Sequence, residues 1–197
     1  IDFNRKNQLP LNDLVKEGTN LLKKNGYYQI PFKLSKKSCH KVLNKSECFD
    51  YSLLLNGEQV INHVPFKEIE SKSPITARAN KSSLTNDELL LSIGSSDFIT
   101  SFVHEYLGPS IFLKNLELWY SFPSSKPSSE AAQLFHFDQD CIKWLKVFIF
   151  LSDIEIVNGP HEAILSSHRS GSKPASLLKK GYIRFSDNKL RKFYDKA

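Results

Sequence analysis

The strongest constraint on this fold is a change of apolar periodicity at Gly108-Pro109. Before that point apolar residues recur at helical spacing; after it they fall on alternate positions or in short continuous runs, the pattern of half-buried and buried strands. Gly and Pro together punctuate the switch, since neither continues a helix. Helices first and antiparallel-looking strands afterwards predict an α+β chain built on a sheet sandwich or barrel.

Within the first part, Leu11 to Lys24 places Leu11, Leu14, Val15, Leu21 and Leu22 on a helical stripe, with Lys23 and Lys24 in the last turn and Gly26 as its stop. Tyr27 to Phe32 is aromatic and β-branched, which suits a short strand. Ser35 to Leu43 reads as a small helix behind a serine cap. From Ser46 to Ser83 only Ser52 to Leu55 and Gln59 to Val64 look strand-like. Leu84 to Leu107 holds one or two helices, with Thr85 and Ser96 as candidate caps. Beyond Pro109, Ile111 to Leu113, Leu116 to Phe122, Trp144 to Leu151 and Glu162 to Leu165 are the strand candidates, and Pro123 to Ser129 is a Ser/Pro-rich rim loop.

The chain has 197 residues, 40% of them hydrophobic, which is enough for one core and therefore one domain over 1–197. The formal charge of +6 favours anionic small molecules and is too diffuse for a nucleic-acid stripe. The longest apolar run, Val147 to Leu151, falls far short of the roughly 20 residues of a membrane span. Cys39, Cys48 and Cys141 are too few and scattered for a disulfide framework, which points to a reducing, intracellular and cytoplasmic setting. Oligomeric state is left open by the sequence. The chain begins at Ile1 and contains no methionine, so it reads as a piece of a longer polypeptide.

The sharpest local feature is Phe135-His136-Phe137-Asp138. In an extended segment, residues two apart share a side, so the imidazole and the carboxylate converge while the phenylalanines face the other way. Such a pair is two-thirds of the facial arrangement of two histidines and one carboxylate that holds non-haem Fe(II). Taken alone it reads first as a hydrogen-bonded His/Asp pair at a strand end, because His-x-Asp is common by chance.

Its surroundings add weight. A strand through Leu145–Leu151 leads to Ser152-Asp153, then to the turn Asn158-Gly159-Pro160, then to Ser167-His168-Arg169. In this order and spacing the chain resembles the phytanoyl-CoA dioxygenase family of Fe(II)- and 2-oxoglutarate-dependent oxygenases. The resemblance spans about Gln133 to Arg169, with looser echoes at Gly26-Tyr27-Tyr28 and Tyr106-Leu107-Gly108. It implies a double-stranded β-helix, or jelly-roll, with N-terminal helices packed on it. The implied cofactors are Fe(II), 2-oxoglutarate as cosubstrate and O2, and the implied metal ligands are His136 and Asp138. The implied reaction couples decarboxylation of 2-oxoglutarate to succinate with hydroxylation of a small or lipid-like organic substrate. An aspartate at 138 favours hydroxylation over halogenation, because the family's halogenating relatives carry a small residue there.

Two departures from the family pattern matter. The family's distal metal histidine, and the arginine that holds 2-oxoglutarate, are expected beyond Ala197. His168 matches the loop histidine, which is not a ligand in that family. Ser166 stands where the family usually has glycine, predicting an altered or strained loop.

Among the other candidates, Lys146 lies on one face with Phe148 and Phe150; it either reaches solvent, pairs with Asp140, or meets an anionic cosubstrate or substrate. One of Trp119 and Tyr120 is expected to face inward, as core first and substrate contact second. Gln133 either orients a pocket group or is a surface residue, and His161 is either solvated or placed behind the ligands. His40, His63 and His104 receive no role, and Cys141 reads as a small packing residue. The basic tail, Lys179, Lys180, Arg184, Lys189, Arg191 and Lys192, reads as a solvated helix face before an acidic-substrate collector. The rival to the enzyme is a catalytically silent jelly-roll binding protein.

Overall fold

The computed structural model describes residues 3–5, 10–56, 59–123, 134–138, 143–173, 175–179, 184–186, 188 and 190. The elements follow in the order β1 (Phe3–Arg5), α1 (Leu11–Asn25), β2 (Phe32–Leu34), α2 (Lys36–Ser46), β3 (Asp50–Leu54), β4 (Val60–Pro65), β5 (Thr76–Ala79), α3 (Lys81–Thr85), α4 (Glu88–Gly94), α5 (Asp97–Leu107), β6 (Trp119–Ser121) and α6 (Ala175–Leu178). The architecture is mixed, with helices beside a four-stranded antiparallel sheet in the order β4-β3-β5-β6 and a separate β1-β2 pair. Among the described residues no helix is long and apolar enough to cross a membrane.

Helix α1 buries Leu14, Val15, Gly18, Thr19 and Leu22, one stripe at helical spacing, against α5. Gly18 is what lets aromatic rings approach: a Cβ there would lie 2.5 Å from Tyr28 and 2.7 Å from Phe102. Those two rings stack at 5.6 Å, and Phe32 meets Phe98 edge-on at 4.6 Å. The expected strand at Tyr27–Phe32 is therefore displaced to Phe32–Leu34, since Tyr28 is spent on ring packing rather than a ladder.

The second core lies on the sheet. Tyr51, Leu53 and Ala77 are fully buried between Val42 of α2 and Leu84, Leu90 and Ile93 of the later helices. Ser35 caps α2 by accepting from the Ser38 amide at 3.1 Å. The cap before α4 is Asp87 rather than Thr85: Asp87 accepts from the Leu90 amide at 3.1 Å and pairs with Lys45 at 3.5 Å, whereas Thr85 ends α3. A polar thread also crosses this core. Tyr51 donates to the Ser46 carbonyl at 2.8 Å, Ser46 Oγ donates to the Leu43 carbonyl at 2.6 Å, and the Tyr120 hydroxyl therefore donates to Ser46 Oγ at 2.7 Å. Burial raises the Tyr51 pKa well above that of a free phenol, so the group stays a donor.

The expected strand at Leu116–Phe122 is present as β6, and its hydrogen bonding to the β5 side continues through Leu118 and Phe122. Ile111–Leu113, Trp144–Leu151 and Glu162–Leu165 form no ladder with described residues. Leu145 packs on the α1/α5 cluster and Leu151 on the sheet cluster, so the chain between them spans from one core to the other. Exposed Val147, Phe148, Ile149 and Phe150 lie along that span.

Replacing Tyr51 by Phe removes one of the two donors to the Ser46 carbonyl, which keeps the Phe49 amide at 3.1 Å, and is expected to lower unfolding stability by about 0.5–1.5 kcal/mol. Urea titration with an unchanged m value checks this; a loss near zero contradicts the role given to the thread.

Candidate functional site

The His136–Asp138 segment is held from one side. Phe135 bridges antiparallel to Phe185, whose amide donates to the Phe135 carbonyl at 2.7 Å. Phe137 meets the Phe185 ring at 5.8 Å, and both phenylalanines pack in a small cluster with Ile164 and Leu190. With the phenylalanines so engaged, the alternation of an extended chain turns His136 and Asp138 toward each other.

The hydrogen bonding specifies the tautomer. His136 Nδ1 lies 2.8 Å from the Leu134 carbonyl, an oxygen that only accepts, so Nδ1 carries the proton and Nε2 is the nitrogen turned to Asp138. A backbone carbonyl on the far ring nitrogen is the usual device that orients a metal-binding imidazole. Nε2 stands 3.2 Å from Asp138 Oδ1. Two donors at metal bond lengths of about 2.1 Å and in adjacent positions of an octahedron lie about 3 Å apart, so the pair spans one edge of a coordination sphere. The donor chemistry, one imidazole and one carboxylate, fits Fe(II). Among the described residues no cluster of three or more His, Cys, Asp or Glu is placed to hold a metal.

The other oxygen of Asp138 is engaged by Lys146, whose ammonium donates to Oδ2 at 2.6 Å. Lys146 also lies over the Trp144 ring, 5.1 Å from its centroid. Among the described residues Asp138 is thus a partner of Lys146; Asp140, the pairing partner weighed from the sequence, lies outside them. The side chains of His136 and Asp138 are 21% and 25% exposed, so the donors are shielded yet open to an ion from solvent.

His161 is the residue that sequence reasoning underrated. Although exposed as a whole, its ring lies 4.2 Å from that of Phe148. Covering by the protein pushes its pKa below the usual histidine value, the nearby positive charges of His136 and Lys146 add to that, and Asp138 partly offsets them. Its only sequence signal is its place directly after Asn158-Gly159-Pro160. Trp119 meets Phe148 at 6.3 Å with Arg78 stacked over its indole, and so joins the rim of this group. Tyr120 faces the sheet core instead. Gln133 and Cys141 lie outside the described residues, as do Lys180, Lys189, Arg191 and Lys192 of the basic tail.

Beside His136 is a cavity of about 160 Å³, walled by Phe137, Ile164, Phe185 and Leu190 with Glu162 and Ser167 as its polar members. A void of about 150 Å³ accommodates a benzene-sized group. The space therefore suits a few carbon atoms rather than a whole long acyl chain.

The Ser166–Arg169 loop has a structural task, capping the end of α1. The Ser166 amide donates to the Asn25 carbonyl at 2.6 Å, and Ser166 Oγ and the Arg169 guanidinium donate to the Lys24 carbonyl at 2.9 and 3.2 Å. His168 Nε2 donates to the Lys23 carbonyl at 3.2 Å. These are carbonyls that a helix end leaves unpaired. Ser166 has φ +63°, the left-handed conformation that favours glycine; here the side-chain bond to Lys24 offsets the strain. His168 is turned to α1 and away from a metal-binding role. In comparisons with known proteins, no family model, no curated protein and no solved structure matches this chain.

Gly26 has φ +73°, and a Cβ on it would run into the His168 ring. Gly26→Ala is accordingly expected to cost about 1–3 kcal/mol, from the left-handed backbone and the clash together. In a His168→Ala background the cost should shrink, because the ring atoms that the new Cβ would meet are gone. Equal costs in both backgrounds, measured by denaturant unfolding, would show that the loop does not rest on α1.

Proposed function

We propose that the chain is an Fe(II)- and 2-oxoglutarate-dependent oxygenase that hydroxylates a small or lipid-like organic substrate, on a jelly-roll of which the four-stranded sheet is a part. The observation that carries this reading is the 3.2 Å approach of His136 Nε2 to Asp138 Oδ1, with the opposite ring nitrogen tied to the Leu134 carbonyl. The resemblance to the phytanoyl-CoA dioxygenase family supports the same assignment through the His-x-Asp, Asn-Gly-Pro and Ser-His-Arg motifs.

In this reading His136 and Asp138 hold the metal. Bound Fe(II) would supply the redox chemistry by which O2 converts 2-oxoglutarate to succinate and CO2 and hydroxylates a C–H bond. The chain's own residues set the conditions. The Leu134 carbonyl holds the proton on Nδ1 and so leaves Nε2 as the nitrogen that faces Asp138 and would face a cation. The cavity beside His136 takes the part of the substrate that is to react, and its apolar wall of Ile164, Phe185 and Leu190 excludes water from that part. Lys146 places a positive charge on Asp138 beside the pair, which suits an anionic cosubstrate or substrate.

One observation favours the second reading, a catalytically silent binding protein. The Lys146 ammonium already balances the Asp138 carboxylate, so the pair is electrostatically satisfied without a metal.

Fe(II)-dependent release of succinate from 2-oxoglutarate separates the two. Under the oxygenase reading His136→Ala and Asp138→Ala should each lower that release by on the order of 100-fold or more while the protein stays folded. His168→Ala should leave Fe(II) binding unchanged. A folded wild-type protein that neither binds Fe(II) nor forms succinate would establish the silent reading.

A further inference from the structure

The carboxylate proposed to hold the metal is already held by another cation. Asp138 spends Oδ1 on His136 and Oδ2 on Lys146, and the 2.6 Å contact to Lys146 is the shorter of the two. Charge-assisted bonds of that length are roughly twice as strong as neutral ones. A divalent ion seated against Oδ1 would face an ammonium bound to the same carboxylate. Two cations on one carboxylate repel, and each dilutes the charge available to the other.

Lys146 has a place to go. Its side chain is 44% exposed, so the ammonium can leave Oδ2 for solvent without unfolding anything, keeping the contact with the Trp144 ring that it already makes at 5.1 Å. The geometry points to an exchange: we infer that Lys146 is a built-in competitor of the metal, occupying Asp138 in the metal-free protein and released when a divalent cation binds. The inference rests on the metal-site reading of His136 and Asp138 and adds what sets the affinity of that site. Lys146 is thus a positioning residue for Asp138: it keeps the carboxylate aimed at His136 while no metal is present, at the cost of weaker metal binding.

The test uses Mn(II) alone, which binds the same donors without oxygen chemistry, followed by calorimetry or by loss of the free-ion EPR signal. Lys146→Met keeps an apolar stem against Trp144 and removes the charge; it should bind Mn(II) on the order of tenfold more tightly than wild type. Lys146→Arg keeps the charge and should stay within about threefold of wild type. In the wild-type protein, acetylation of Lys146 followed by mass spectrometry should become faster once Mn(II) is added, because the amine is freed from its ion pair. This second measurement needs no variant, and Lys146→Gln stands in if the methionine variant fails to fold.

Equal or weaker Mn(II) binding by the folded Lys146→Met protein, or acetylation indifferent to Mn(II) while Mn(II) binds, overturns the exchange and leaves the metal site standing. Absence of Mn(II) binding in wild type and variant alike, both folded, overturns the metal-site reading and the exchange with it.

Discussion

An imidazole nitrogen and a carboxylate oxygen set 3.2 Å apart are two electron-pair donors facing one another, and such an arrangement persists only with a positive charge on or between them. The rest of the site follows from that requirement. The Leu134 carbonyl takes the proton of the opposite nitrogen, so the charge must come from a second proton, from a neighbouring cation or from a metal. Lys146 meets part of the demand from one side. The remaining donor edge, between Nε2 and Oδ1, is where the proposed metal would sit.

The scaffold brings this edge together through packing on either side of it. Phe135 and Phe137 lock the segment against Phe185 and Leu190, while Leu145 and Leu151 anchor the neighbouring chain on the two larger cores. Ser166 and its neighbours tie the wall of the adjacent cavity to the end of α1. A helix near the start of the chain therefore bears on a pocket near its end. The Ser166–Arg169 loop serves here as a helix cap, and its serine in a left-handed conformation records how closely it is fitted to that helix.

Much of this was legible in the sequence where local chemistry decides structure. The stripe of α1, its Gly26 stop, the Ser35 cap and the strands around Leu53 and Val64 are set by spacing and by capping, and they stand within a residue or two of where pattern places them. Strand β5 was not legible: Thr-Ala-Arg-Ala has little strand preference, and it is a strand because it pairs on both edges, with β3 and with β6. Thr85 and Asp87 are both good caps, and only the short α3 decides between them. Among the apolar runs beyond Pro109, strand composition was plain, but a ladder depends on a partner strand that composition does not specify. In the candidate site, the convergence of His136 and Asp138 follows from alternation alone. The ion pair to Lys146 and the approach of His161 depend on how distant turns fold back, so no local signal announces them.

The most direct measurement of the central claim is a crystal structure of the protein grown with Mn(II) under anaerobic conditions. The account predicts one ion bonded to both His136 Nε2 and Asp138 Oδ1, with the Lys146 ammonium moved off Asp138 into solvent. A structure in which the ion is absent or lies elsewhere, with His136, Asp138 and Lys146 still joined to one another, would contradict it.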